Sequence, residues 1–295
     1  DYSREKGVSI IGDLPIYVAP DSCDVWASPQ LFLLDSELHP TELAGCPPDS
    51  FTCDGQLWGN PLYNWEEHAK EGYAWWISRL AYQFRLYDVL RIDHFRGFES
   101  FYAVPFGSPN AKHGVWRKGP GMELFNAIKN ALGEKRIIAE DLGFLDESVR
   151  KLLRDSGFPG MKVLQFAFDS REDSCYLPHN YSENCVAYTG THDNSTIAEW
   201  FCVSPVSDIA KAREYLRVRE GESVAKAMIC AIWGSVAYIS VAPMQDLLEL
   251  GASARMNTPS TLGGNWQWRM RPGLDLSEVS LWLRHITELY GRRIG

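Results

Sequence analysis

Six stretches of the chain are continuous apolar runs rich in β-branched residues: VSIIG (8–12), YDVLRID (87–93), KRIIAED (135–141), MKVLQFAF (161–168), NCVAYTG (184–190) and VAYISVA (236–242). Runs this short and this apolar suit strands covered on both faces, as a parallel sheet requires. Between them apolar positions recur at three- and four-residue spacing, which predicts helices over 66–86, 122–132, 147–156, 222–233 and 277–290. End signals support several: Gly133 follows the second, Asp146 is placed to cap the third and Gly157 to stop it, and Ser277 and Gly291 bracket the last. Strand and helix alternate without internal repeats, an α/β pattern. Six strands suit either an open doubly wound sheet or a (β/α)8 TIM barrel apparently missing its first two strand–helix units. Residues 19–65 interrupt the alternation as a long irregular insertion rich in Pro, Asp and Gly, the kind of segment that serves as a lid or substrate-binding loop.

Three of these regions carry acids where the strand gives out: RIDHFRG (91–97), RIIAEDLG (136–143) and YTGTHDNST (188–196). Carboxylates at the C-terminal edge of a parallel sheet are the equipment for cleaving a glycosidic bond. Alternation along a strand puts Arg91 and Asp93 on one face, where the guanidinium holds the carboxylate ionised, as a nucleophile must be. His94 follows where the chain leaves the strand. Glu140 sits on the lip of an apolar strand, where desolvation raises a carboxyl pKa toward that of a general acid. A structural ion pair and a capping Glu are the competing readings of these two acids taken singly. His192 and Asp193 set a donor beside an acceptor, suited to vicinal hydroxyls. There is no GxSxG nucleophile elbow, and His94, His192 and their neighbouring acids lack the spacing of a metal site.

Composition narrows the partners. A net charge of −9 argues against a nucleic-acid surface and against an anionic membrane, and fits a neutral substrate. No run of 18 or more apolar residues reads as a membrane span, and the opening DYSREKG is not a signal peptide. Seven cysteines, an odd number without framework spacing, point to a reducing, cytoplasmic compartment or to a plastid. The eleven Trp cluster partly in loops, WGNPLYNW (58–65) and GGNWQWRM (263–270), where flat apolar faces beside amides suit sugar rings or else cap a core.

Taken together and in order, GDLPIYV (12–18), WGNPLYNW, RIDHFRG, IIAEDLG, TGTHDN and ARMNTPSTLGGNW (254–266) resemble the 4-α-glucanotransferase family, the amylomaltases or disproportionating enzymes of the α-amylase-like clan. The resemblance spans nearly the whole chain and implies a TIM barrel, no cofactor, and maltodextrin, starch or glycogen-derived α-glucans as substrates. Residue by residue it implies that Asp93 is the nucleophile, Glu140 the acid/base and Asp193 a third carboxylate holding the distorted sugar. Arg91 and His94 flank the nucleophile, His192 binds the same sugar, and Asp13 matches an acid at the end of a barrel strand. PPDSF (47–51) with Trp58 and Asn60 resembles a mobile loop over the glucan. Asn257, Pro259 and Asn265 fall in a second cleft loop. Two positions depart from the family's pattern: Ser195 stands where THDND has its second Asp, and Glu199 where Gly is common. The family also has two barrel strands and an inserted domain upstream of GDLPIYV. An unclosed barrel is expected to leave residues 1–295 alone poorly stable or inactive. An α-glucan hydrolase on the same scaffold and an inactive sugar-binding fragment are the rival functions.

Overall fold

All six apolar runs form strands, each shorter than its run. The computed structural model describes residues 1–48, 53–143, 145–169, 171 and 174–292. In chain order its strands are β1 (Ile11–Leu14), β2 (Glu42–Cys46), β3 (Gln56–Pro61), β4 (Val89–Ile92), β5 (Ser100–Pro105), β6 (Val115–Lys118), β7 (Ile137–Ala139), β8 (Gly160–Val163), β9 (Cys185–Tyr188) and β10 (Ile239–Val241). The first run, read from sequence as 8–12, enters the sheet only at Ile11, and the strand continues past the run to Leu14. The fourth run is extended only to Val163. Residues Leu164–Phe168 then wind into a 3-10 turn that buries Leu164, Ala167 and Phe168.

Two compact units divide the chain, Asp1–Gly160 and Met161–Gly295. In the first, β1, β4 and β7 make a parallel sheet in that order, with Asp13 opposite Arg91 and Ile92 opposite Ala139. Every residue of β4 and of β7 is buried. Helices Ala74–Leu86 and Met122–Leu132 supply Trp76, Leu80, Leu124, Phe125 and Ile128 to the core that holds Leu90 and Ile92. The single helix expected over 66–86 is two, Trp65–Lys70 and Ala74–Leu86. Gly72 and Tyr73, at φ 61 and 59, turn the chain between them, a conformation that ends a right-handed helix. Glu147–Ser156 has the expected ends: Asp146 accepts from the Val149 N–H at 3.1 Å, and Gly157 is left-handed at φ 70.

The insertion at 19–65 is not irregular throughout. Its β2 and β3 form a hairpin, and β2 pairs antiparallel with β5, which pairs with β6, in a four-stranded sheet of order β3-β2-β5-β6. Residues 49–51 of the PPDSF segment lie outside the described residues.

In the second unit β10 pairs parallel with β9, and β8 is its other neighbour. Helices Ile197–Val203, Val206–Leu216 and Val224–Trp233 pack Ile197, Ala212, Ala225, Met228 and Ile232 on Cys185 and Ala187. The last helix, Ser277–Leu289, is present, but Ser277 is its first residue rather than its cap. Asp275 accepts from the Ser277 N–H at 2.9 Å. No helix among the described residues is long and apolar enough to cross a membrane.

Candidate active site

The parallel register of the first unit sets one face of one sheet edge with charge. Asp13 pairs with Arg91 across β1 and β4, and alternation carries the same face on to Asp93, just beyond β4. Ile92 pairs with Ala139 on β7, so Asp93 and Glu140 follow at the next step of neighbouring strands, whose backbones lie roughly 5 Å apart. The backbone confirms the step: the Asp93 N–H donates to the Leu14 carbonyl, and the Glu140 N–H to that of Ile92, each at 3.0 Å.

Arg91 is the centre of this group. It is buried, and its Nη1 donates to Asp13 Oδ1 at 2.6 Å and to Asp93 Oδ1 at 3.1 Å. Burial works against its charge, but Asp13, Asp93 and Glu140 together outweigh that and hold the guanidinium protonated. Asp93 keeps 43% of its side chain exposed, so a carboxylate held by Arg91 still reaches solvent.

Glu140 has the opposite environment. Burial, and next the negative charge of Asp93, push its pKa up to about 7, against the lowering pull of Arg91 and two backbone donors. Those donors are the Leu142 N–H, 2.9 Å from Oε1, and the His94 N–H, 2.8 Å from Oε2. Of these two neighbouring carboxyls, one is held beside a guanidinium and the other is driven toward its protonated form, environments that suit different proton-transfer tasks.

His94 reaches Glu140 through its main chain because it adopts a left-handed conformation, φ 51 and ψ 51, rare for a residue with a side chain. Its ring stands edge-on to Trp58 with centroids 4.8 Å apart, and Tyr17 lies 6.3 Å from Trp58 and 6.5 Å from His94. Burial, and then the charge of Arg96, lower the His94 pKa to about 4, so the ring is neutral. Trp58 is 36% exposed, a partly open aromatic face. Asn60, expected to meet substrate, donates to the Val18 carbonyl at 2.9 Å and ties β3 to the segment after β1.

In the second unit, β9 leads into Thr189–Thr196 before the helix Ile197–Val203, which Thr196 caps by accepting from the Glu199 N–H at 3.2 Å. Asp193 lies in this turn. Its Oδ1 accepts from Asn257 Nδ2 at 2.6 Å, and Oδ2 is 3.5 Å from His192 Nε2. The His192 ring lies 4.9 Å from that of Trp266. Asn265, read as a cleft residue, uses both ends of its amide inside its own loop: Oδ1 accepts from the Thr258 N–H, and Nδ2 donates to Thr261. Among the described residues no cluster of His, Cys, Asp and Glu could hold a metal ion.

These segments match a known family. Residues 1–276 fit the family model described as 4-alpha-glucanotransferase. The chain belongs to the 4-alpha-glucanotransferase family. It is 49% identical over 294 residues to a 4-alpha-glucanotransferase of Clostridium butyricum, covering 99% of this chain and 60% of that protein. With the chloroplastic/amyloplastic 4-alpha-glucanotransferase of Solanum tuberosum it is 46% identical over 295 residues, 99% of this chain and 51% of the relative. An amylomaltase from Streptococcus agalactiae, solved in complex with acarbose, superposes with a TM-score of 0.95 at 46% identity, over 98% of this chain and 59% of that one. The chain thus spans about 50–60% of the length of these relatives. Amylomaltase from Corynebacterium glutamicum, at 20% identity and a TM-score of 0.72, shares the fold. The fold class is therefore α/β of the (β/α)8 TIM-barrel type, as the motifs implied.

Membership in the 4-alpha-glucanotransferase family makes the residues that sequence reading passed over easier to see. Tyr17 is one, within GDLPIYV but not singled out. Arg255 is another, in ARMNTP beside the chosen Asn257: its Nη2 donates to the Asp193 carbonyl and its Nε to that of Asn257, each at 2.9 Å. Motif membership was the available signal for both.

Proposed function

We propose that the protein carrying this chain is a 4-α-glucanotransferase that moves α-1,4-glucan segments between maltodextrins with retention of anomeric configuration. One observation carries the reading: Asp93, ion-paired to Arg91 and partly exposed, beside a Glu140 pushed up to about 7. Asp93 attacks the anomeric carbon while Glu140 gives its proton to the departing glycosidic oxygen, and a covalent glycosyl-enzyme results. Glu140, now ionised, takes the proton from the 4-hydroxyl of an acceptor glucan, whose oxygen displaces Asp93 and restores an α-1,4 bond. Arg91 keeps Asp93 ionised and stabilises it again as it leaves the sugar. Asp13 shares that guanidinium.

Asp193 is assigned as the third carboxylate, binding sugar hydroxyls together with His192. Asn257 aims it by donating to Oδ1. Trp58 and His94 form an apolar wall against a sugar face. Asn60, tied to the Val18 carbonyl, and Asn265, bonded within its own loop, are assigned to line the glucan cleft. The acarbose bound to the amylomaltase from Streptococcus agalactiae supports an α-glucan as the ligand class. Transfer rather than hydrolysis requires that the acceptor sugar, not water, occupy the place from which Glu140 removes a proton.

The test is incubation of the protein that carries this chain with maltotriose. Transfer yields a ladder of longer and shorter maltodextrins with the number of reducing ends unchanged. Reducing ends that accumulate without longer products indicate a hydrolase, and binding without turnover indicates a sugar-binding protein. Asp93→Asn and Glu140→Gln should each abolish the ladder.

A further inference from the structure

Ser195 and Glu199, four residues apart, both meet one guanidinium. Arg255 Nη1 donates to Ser195 Oγ at 3.1 Å and lies 3.7 Å from Glu199 Oε1, an ion pair without a hydrogen bond. The other nitrogens of the same side chain hold the main chain around the third carboxylate: Nη2 donates to the Asp193 carbonyl and Nε to that of Asn257. Asn257 in turn donates to Asp193 Oδ1 at 2.6 Å, and its N–H donates to the His192 carbonyl at 3.1 Å. Arg255 thus ties the turn at 191–195 to the segment at 255–257, and the Asp193 carboxylate is aimed by that tie.

We propose that Arg255 is the positioning residue of the Asp193 carboxylate, and that of its two side-chain contacts at 195 and 199 it is Glu199 that supplies the countercharge. A serine hydroxyl can accept the hydrogen bond that an aspartate would, but it brings no charge. Arg255 exposes only 23% of its side chain, and a guanidinium so covered needs a carboxylate nearby. Glu199 supplies one from the first turn of the helix Ile197–Val203, with 17% of its side chain exposed. Its Oε2 is buried without a hydrogen-bond partner among the described residues. Holding a carboxylate there costs solvation, which the Arg255 charge offsets. A carboxylate at either contact would answer the same guanidinium, so the charge should be exchangeable between 199 and 195.

Thr196-x-x-Glu199 also has the spacing of a capping box, in which Glu199 would serve only the helix end. The substitution Glu199→Gln separates the roles, because glutamine fits a capping box and carries no charge. The reaction part of this inference rests on the assignment of Asp193 above; the charge exchange does not. In the protein that carries this chain, Glu199→Gln should lower kcat for maltotriose disproportionation about tenfold through misplacement of Asp193. Adding Ser195→Asp to that variant should restore most of the loss. Thermal unfolding gives a second readout: Glu199→Gln and Arg255→Met should lower Tm by less together than the sum of their separate effects. Unchanged kcat in Glu199→Gln, failure of Ser195→Asp to rescue it, or additive Tm losses would overturn the exchange. If Asp193→Asn turns over like the unsubstituted protein, the role given to Asp193 falls, while the Tm cycle still decides whether Glu199 is the partner of Arg255.

Discussion

The backbone N–H of His94 donates to Oε2 of Glu140 at 2.8 Å, so the residue that follows the candidate nucleophile holds the candidate acid. The bond crosses from the end of β4 to the end of β7 and requires no side chain of His94. The main chain has to turn left-handed there, at φ 51, as it does so. Asp93 and Glu140 are thereby built on a single piece of backbone geometry, and after burial the charge of Asp93 raises the proton affinity of Glu140.

Glu140 should govern the alkaline side of the pH profile. With its pKa raised to about 7 by burial and then by Asp93, it is mostly protonated below that pH and ionised above it. Departure of the leaving sugar needs the proton, so the rate of glycosyl-enzyme formation should fall as pH rises through about 7. In Asp93→Asn one of the raising influences is gone, and Glu140 should titrate at lower pH. Carbon NMR of labelled glutamate would read this directly; an unmoved titration would separate the two carboxyls.

Removing Arg91 should have the opposite effect on the same group. Arg91 lowers the Glu140 pKa, so Arg91→Met should raise it further and leave Asp13 and Asp93 without their shared donor. Turnover of maltotriose should drop by roughly 10²–10³-fold, the scale of losing a preorganised electrostatic contact. Arg91→Lys should recover only part of this, since an ammonium lacks the guanidinium's fork. A lysine variant of full activity would show that only net charge matters at this position.

Gly97 leaves room for the His94 ring. A Cβ there would come 2.7 Å from Ile16 Cδ1 and 3.0 Å from His94 Cδ2. Gly97→Ala should therefore shift His94 off the Trp58 edge contact and cost about 1–3 kcal/mol as overpacking does. A denaturant melt measures the stability change, and the KM for maltotriose should rise with it. A variant as stable and as active as its parent would mean that the ring is free to move aside.

Acid should destabilise the fold through buried neutral histidines. His68 is fully buried against Tyr63, Trp65 and Trp75, and its pKa falls to about 4, chiefly by burial and in spite of the Leu31 backbone. Its folded pKa lies below the unfolded value near 6.5, so the unfolded chain takes up the proton first. Stability is therefore complete above about pH 6.5 and declines from there to about pH 4, by about 1.4 kcal/mol per pH unit for such a group. His68→Phe should flatten that slope in melts taken between pH 7 and 4. An unchanged slope would assign the acid sensitivity elsewhere, His94 being the next group with the same shift.

Local chemistry made the barrel strands and the helix ends legible. An apolar run such as RIIA can be buried on both faces only as a strand or a core helix, and its flanking charges limit its length. Asp146 and Gly157 act within four residues of themselves, so their helix ends could be read from their identity alone. The antiparallel sheet was not legible. ELAGC, QLWGNP, SFYAVP and VWRK are short and carry Gly, Pro or charge, and β2 finds its partner β5 across more than fifty residues. The break at Gly72 and Tyr73 was hidden because apolar spacing continues across it.

By itself the sequence determined the family, through six motifs in order, and with it the identities of Asp93, Glu140 and Asp193 as candidate acids. It also determined that Arg91 and Asp93 share a face, because alternation is a property of any strand. Only the tertiary structure decided that Asp13 joins them at 2.6 Å from Arg91, that the His94 main chain holds Glu140, and that Glu199 lies 3.7 Å from Arg255. The physical reason is range. Strand alternation and helix caps act between near neighbours, whereas burial and charge depend on which distant segments the register and the packing bring together. A proton affinity such as that of Glu140 is the sum of those distant terms.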